Sequence, residues 1–491
     1  MKVYKELAGQ TIIYGLGTII PRVLNFLLTP LYTYTLIESQ FGVITELYSY
    51  VAFFMVLLTL GMETTFFKFG SLNTNSKTLF NNTFGILFLS ASFFIVFVLI
   101  FKDNIANIIG YSNYSLLIVY LAFIIFFDVI TAIPLAKLRH ENRAKFFAII
   151  RTSNVLINIS LNIFFFVICK DSDNTFLSGL YNEKIGVGYA FISNLIASFF
   201  NFVVLLPIML KFKINFNKEL LVKMFKYAMP LVIVGFAGMV NEVADKIFLK
   251  YLTPPDLIPL KQVGIYGANY KLAVLMTIFI QMFKYAAEPF FFKHASSIDA
   301  KEIYSKVMTW FIIFCLLIFL MVTLYIDIFK LLIGSNYRVG LFIVPIVLLA
   351  NMLLGIYYNL SVWYKINNLT HLGAIISVIG VIITVLLNFI LIPIIGYLGS
   401  AIATLSCYFS MVVISYFVGK KHYKINYQLT RIFGYTIFAL FLFFVNNYFK
   451  DNTFIINILK STFLMMTFLI VIIKVEAISL LSLKNFIGKK N

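Results

Sequence analysis

Charge is scarce in this chain: only 12% of its 491 residues are Asp, Glu, Lys or Arg. A soluble domain carries about 25%, so a water-exposed globular surface is excluded. Cysteine is rarer still, with Cys169, Cys315 and Cys407 standing singly in separate apolar runs. Neither a disulfide framework nor a thiolate metal site follows from them. The four histidines, His140, His294, His371 and His422, fall at expected helix ends or in loops, and none has a second ligand at metal spacing. A Gly-x-x-x-x-Gly-Lys-Ser/Thr loop and a hydrolase elbow are also missing. That sets aside ATP-driven transport within this chain and covalent catalysis. The expectation is a non-enzyme without metal or cofactor.

What is abundant is hydrocarbon, since 61% of the residues are hydrophobic. Apolar runs of about 20 residues or more, each long enough to cross a bilayer, predict fourteen helices. They lie near 10–36, 42–67, 83–101, 114–137, 146–169, 187–210, 227–252, 263–292, 304–326, 339–364, 371–393, 397–418, 429–449 and 454–474. The first run is long and leads straight into further spans, which reads as a span and not as a cleaved leader. Between Lys211 and Lys226, Leu220, Leu221, Met224 and Phe225 are set among five lysines, the pattern of an interfacial amphipathic linker.

The net charge of +19 raises the question of nucleic acid, and its distribution answers it. With the N-terminus in the cytoplasm and residues at the span ends counted with their loops, the cytoplasmic loops and tails hold 25 Lys/Arg, the opposite loops 8 and the spans 6. A threefold bias is a positive-inside signal, so both termini are expected in the cytoplasm. The basic loops then lie beside anionic headgroups, and membrane lipid, not nucleic acid, is the expected partner.

An internal repeat divides the chain. Arg139-His-Glu-Asn142-Arg-Ala-Lys-Phe-Phe-Ala148-Ile-Ile leads to Leu161-Asn162, and at a constant offset of 226 Lys365-Ile-Asn-Asn368-Leu-Thr-His-Leu-Gly-Ala374-Ile-Ile leads to Leu387-Asn388. Lys5-Glu-Leu pairs with Lys218-Glu-Leu, Gly42 with Gly264, and Glu63-xxxx-Lys68 with Glu288-xxxx-Lys293. Six spans return the chain to its starting side, so the copies share one topology and an axis along the membrane normal relates them. The expected fold is all-α and polytopic: residues 1–213 as a first lobe of six helices, 214–424 as a second, and 425–491 as two further helices and a cytoplasmic tail.

Within the spans of the two lobes, eleven charges, five cations and six acids, mark the candidate site. A charge at the bilayer centre costs about 2.5–3.5 kcal/mol on insertion scales, so these residues must face a wet cavity or one another. The first helix carries Gly15, Thr18, Arg22, Asn25, Thr29 and Thr33 within about 80° of one face. Arg22 lies mid-span with no acid one turn away, which makes this face a cavity wall. The fifth helix has Arg151, Asn154, Asn158 and Asn162 on one face, and its repeat partner has Ser377, Gly380, Thr384 and Asn388. Such stripes serve equally as glue between helices. Glu242 and Lys246, and likewise Lys284 and Glu288, stand four apart and can neutralise each other. Lys271 has no such local partner and joins Arg22 as a candidate for an anionic group. Asp245, Asp128, Glu63 and Glu46 remain as proton sites, sodium ligands or counter-ions, so coupling to H+ or Na+ stays open. Pro21 and Pro30 in the first helix, and Pro230, Gly235 and Gly238 in the seventh, supply bends suited to rocking lobes.

Three stretches carry a family resemblance. Thr11-Ile-Ile-Tyr-Gly-Leu-Gly-Thr-Ile-Ile-Pro-Arg22 opens the first helix and Tyr-Ala-Met-Pro230-Leu the seventh. Leu-Asn388-Phe-Ile-Leu-Ile-Pro393 precedes Gly396-Tyr-Leu-Gly399-Ser-Ala-Ile-Ala-Thr404-Leu. Together, over roughly residues 1–420, they resemble the polysaccharide-biosynthesis, O-antigen flippase-like branch of the multidrug/oligosaccharidyl-lipid/polysaccharide exporter superfamily. The resemblance implies a V-shaped pair of six-helix bundles in the bacterial cytoplasmic membrane. It also implies translocation of an undecaprenyl-diphosphate-linked oligosaccharide by alternating access, by a protein working as a monomer, with glycan polymerase machinery as a further partner. In related flippases cavity arginines and lysines engage the diphosphate or acidic sugars, which extends candidate roles to Arg22, Lys246 and Lys271. Two extra C-terminal helices are a feature many O-antigen flippases lack and lipid II flippases have. Beside the flippase stand a cation-coupled drug or metabolite antiporter of the same fold, with Asp245, Asp128 or Glu63 coupling, and a non-transporting scaffold of a glycan-assembly complex.

Overall fold

The computed structural model describes residues 19–70, 75–170, 173–295, 297–367, 369–451 and 453–476, without the side chains of residues 285, 286, 288, 289 and 292–294. The described residues are mostly helical, and no strand occurs among them. Among the described residues, twelve helices are long and apolar enough to cross a membrane, and a bent pair makes a thirteenth span. The first span, α1, is described as helix over 19–26 and over Leu28–Thr35. The interruption at Leu27 follows from Pro30, whose missing amide leaves the carbonyl of Phe26 without a helical partner.

The first lobe continues with α2 (Glu38–Gly70), α3 (Ser76–Ile108), α4 (Ser112–His140), α5 (Ala144–Cys169) and α6 (Gly188–Met209). The second contains α7 (Lys218–Leu252), α8 (Pro259–Leu272 and Val274–His294), α9 (Ala300–Leu324), α10 (Ser335–Ile366), α11 (Thr370–Ile395) and α12 (Tyr397–His422). The repeat is visible in the packing: α4 and α5 both lie on α6, as α10 and α11 both lie on α12. The two C-terminal helices, α13 (Leu429–Tyr448) and α14 (Phe454–Glu476), pack on α9. There Ser461 donates to the carbonyl of Leu324 (2.7 Å), and Phe319 meets Phe443.

Two expectations change. The linker 211–226 does not stay apart from the seventh span. Asn217 caps a continuous helix by accepting from the amide of Leu220 (2.9 Å), so residues from Lys218 onward are the first turns of α7. The eighth span is not one straight helix: its halves meet at Ala273 with a bend of 55°. There the amides of Ala273 and Met276 reach back only three residues, to the carbonyls of Tyr270 (3.1 Å) and Ala273 (3.1 Å), a local tightening that redirects the axis.

The lobes meet along α2, which packs on α7 and on the first half of α8. Gly42 and Gly264, the pair related by the repeat, make the second contact. A Cβ on Gly42 would lie 1.9 Å from the carbonyl oxygen of Leu260, and one on Gly264 would lie 1.9 Å from that of Glu38. Only glycine permits this backbone-to-backbone crossing. The same end is tied by Tyr337 donating to the carbonyl of Leu36 (2.9 Å), Tyr34 to that of Leu331 (2.9 Å), and the Gly334 amide to Thr33 Oγ1 (3.1 Å). Beyond the bend, α8 packs on α9 and α10.

Candidate functional site

Below the glycine crossing, α1, α2, α5, α6, α7 and α8 surround a cavity of about 450 Å³. Asn25, Thr29, Asn154 and Asn158 line it from the first lobe. Glu242, Lys246, Tyr270 and Lys271 line it from the second. An adjoining chamber of about 180 Å³ shares Glu242, Tyr270 and Lys271 and adds Arg22, Gln281 and Asn351. Lys271 stands in the last turn before the α8 bend, so it reaches the junction of the two chambers.

The charges on this wall are not equivalent. Lys246 donates to Asp245 Oδ1 (2.9 Å) and to the main-chain carbonyl of Glu242 (3.1 Å), and lies 4.5 Å from the centre of the Tyr270 ring. The neighbour in sequence, not the acid four residues back, neutralises it. Asp245 is 2% exposed and also accepts from Tyr266 (2.6 Å) and from the Lys246 amide (2.8 Å). Its acceptor sites are filled, and it belongs to the packing behind the wall. Glu242 is left facing both chambers. Among the described residues, neither Arg22 nor Lys271 is within ion-pair distance of a carboxylate, Glu242 acting on Lys271 only from farther along the same wall, and both line the chambers. An unpaired cation inside a span is costly in lipid, and here it has a hollow to face.

The polar stripes divide. On α5, Asn154 and Asn158 reach the cavity, whereas Asn162 donates to Asn158 Oδ1 (2.9 Å) and accepts from Tyr32 (2.8 Å), tying α5 to α1. On α11 the stripe is glue: Thr384 donates to Asn241 Oδ1 (3.0 Å), and Asn388 accepts from Ser400 (3.0 Å).

The remaining candidates lie elsewhere. Glu46 is fully buried, accepts from Tyr111 and pairs with Lys250 (2.9 Å), bridging α2 to α7. Glu63 pairs with Arg139 (2.6 Å). That pair, with Asp128 and Arg151, lines a separate chamber of about 280 Å³ inside the first lobe. Lys284 lies 4.5 Å from the centre of the Tyr358 ring, by a small pocket that also holds Lys365. Thr18 and the side chain of Glu288 lie outside the described residues.

Several wall residues gave no signal in the sequence. Tyr48 accepts from Asn194 (2.9 Å), and Tyr270 donates to Asn351 (3.4 Å), both on the cavity side. Tyrosines are frequent in this chain, with 29 in all, so no single one stands out. Lys250 stands at the very end of the seventh apolar run, where it counts with the adjoining loop, and its partner Glu46 is 204 positions away.

Residues 7–295 match the sequence profile of a family described as polysaccharide biosynthesis protein. No curated protein matches the chain. Among solved structures, it superposes on the lipid II flippase MurJ in its inward closed conformation with a TM-score of 0.70 at 16% identity, covering 95% of this chain and 100% of that one. The MATE multidrug transporter DinF-BH gives 0.60 at 15% identity, over 86% of this chain and 97% of that one. An inward-facing multidrug resistance MATE family transporter of the MOP superfamily gives 0.59 at 12% identity, over 84% and 97%. At these identities the superpositions speak for the fold.

Proposed function

Because this chain belongs to the polysaccharide biosynthesis protein family, a multi-pass membrane transporter of the MOP fold, we propose that it is a flippase. Its cargo is an undecaprenyl-diphosphate-linked oligosaccharide, carried from the cytoplasmic to the outer leaflet of the bacterial cytoplasmic membrane by alternating access. The observation that carries the reading is the placement of Arg22 and Lys271. They are cations without carboxylate partners on the wall of chambers enclosed by both lobes. A diphosphate moving through a hydrocarbon slab needs such groups, and charge-assisted hydrogen bonds supply most of the attraction. Amides and hydroxyls on α1, α5 and α6 offer the neutral donors and acceptors a glycan requires, while the lipid tail can stay in the bilayer. No chemical step is needed.

The loop charges orient the carrier with both termini in the cytoplasm. The end tied by Gly42 and Gly264 is then the outer one, and the described conformation is closed toward the outside. For opening there, the two lobes must separate at the glycine crossing while the chambers close at the other end.

The test is surface glycan export in a host lacking its own flippase. Arg22→Ala and Lys271→Ala are expected to abolish export at unchanged protein level. Each removes about 1.5–3 kcal/mol of charge-assisted bonding, a roughly tenfold to hundredfold loss of affinity. Normal export by both variants would take the two cations out of the substrate path. Protection of a pump-deficient host against drugs, with no glycan export, would favour the antiporter.

A further inference from the structure

We propose that the chamber inside the first lobe, between α2, α4, α5 and α6, is a second subsite that holds the sugar portion of the carried lipid, apart from the Arg22–Lys271 region. This rests on the flippase reading above and adds to it where the glycan sits. The chamber measures about 280 Å³, and its polar lining is Glu63, Asp128, Thr131, Arg139, Arg151 and Asn201.

Three observations point to a ligand. First, Asn201 is 3% exposed, and its Oδ1 accepts no hydrogen bond. A buried amide oxygen without a donor is unfavourable, and a hydroxyl in the chamber would supply one. Second, the lining offers both kinds of group a sugar uses. The carboxylates of Glu63 and Asp128 accept, the guanidinium groups of Arg139 and Arg151 donate, and these two lie 5.8 and 5.9 Å from the centre of the Phe147 ring. Two acids balanced by two arginines make the chamber neutral overall, which suits a hydroxyl-rich glycan better than a bare cation.

Third, the internal repeat provides a control. At the offset of 226, Asp128 corresponds to Leu354, Thr131 to Tyr357, Phe147 to Gly373 and Arg151 to Ser377. In the second lobe Tyr357 shares hydrogen bonds with the Gly373 carbonyl (3.3 Å) and Ser377 Oγ (3.3 Å), and the Tyr364 ring closes over Gly373. The corresponding space in the second lobe is a pocket of only about 30 Å³ between Lys284, Tyr358, Ser361 and Lys365, whereas in the first lobe it is about 280 Å³ and lined by acids, arginines and an amide. The fold by itself thus leaves a small pocket at this place, and the wider, acid- and amide-lined chamber is particular to the first lobe.

The experiment uses the full chain in lipid nanodiscs and compares binding of two probes: undecaprenyl diphosphate, and undecaprenyl diphosphate bearing an N-acetylhexosamine disaccharide. The wild-type protein should bind the sugar-bearing lipid more tightly. Asn201→Leu, which keeps the branched outline, and Arg151→Ser, which installs the second-lobe residue, should each weaken the sugar-bearing lipid about tenfold, the loss of one good hydrogen bond. Both should leave the sugar-free lipid unchanged, whereas Lys271→Ala should weaken both lipids. Equal wild-type affinity for the two lipids, or variants that weaken both in parallel or neither, overturns the subsite and leaves the carrier reading standing. Wild-type protein that binds neither lipid overturns the carrier reading itself.

Discussion

Lys246 and Lys271 share one cavity wall, yet their chemical situations differ. Lys246 is held by Asp245 at 2.9 Å, while Lys271 is without a carboxylate partner among the described residues. Lys271→Ala is therefore expected to change stability by less than about 0.5 kcal/mol while weakening lipid diphosphate binding roughly tenfold to hundredfold. Lys246→Ala leaves the buried Asp245 carboxylate short of a cation and is expected to cost up to about 3 kcal/mol. Thermal unfolding in detergent, read beside lipid binding, separates the two, and equal unfolding temperatures would contradict the assignment. The Glu46–Lys250 pair gives a sharper case, with Glu46 fully buried and Tyr111 as its second donor. Lys250→Met alone should destabilise by about 3–5 kcal/mol, and adding Glu46→Gln should recover most of the loss. A double variant no more stable than the single one would mean that the two groups do not act on each other.

Where helices touch, glycine decides how closely. The 1.9 Å approaches at Gly42 and Gly264 leave no room for a methyl group against a carbonyl. Gly42→Ala must push α2 and α8 apart and is expected to favour the state open at that end. Spin labels on Ile37→Cys and Asn336→Cys, both exposed at the crossing, would report it as a longer and broader distance distribution. The native cysteines, Cys169, Cys315 and Cys407, are buried and should take little label. An unchanged distribution would show that the crossing does not govern closure. The bends in α1 and α8 differ in how legible they are. Pro30 announces the first, but at Ala273 no proline or glycine marks the 55° turn. That turn comes from three-residue hydrogen bonds and from packing of the second half on α9 and α10, neither of which hydropathy encodes.

Across the whole molecule, the orientation argument makes its own prediction. Lys213→Cys should react with an impermeant thiol reagent only from the cytoplasmic face, and Asn336→Cys only from the outside. The reverse pattern would place the glycine-closed end in the cytoplasm and invert the transport cycle proposed here. Much of the architecture was readable without coordinates. Apolar run length alone dictates spanning helices, because an unpaired backbone cannot cross hydrocarbon. The 226-residue offset dictates two like lobes, and their packing shows it, with α4 and α5 on α6 as α10 and α11 are on α12. Arg22, Asn25 and Thr29 share a face legible in the sequence, Lys271 stands out by lacking a local partner, and the structure places these four, with Asn154 and Asn158, on the walls of the central chambers. What the residues alone did not disclose is which buried charge belongs to which. Helical spacing pairs Glu242 with Lys246, but three-dimensional proximity gives Lys246 to Asp245, Glu46 to Lys250 and Glu63 to Arg139. In a medium of low polarity a charge takes the nearest opposite charge in space, and chain separation plays no part in that choice. Membership of the membrane, the helices and the duplication were thus properties of the string, while the division of ionised groups between packing and cavity was settled only when the helices met.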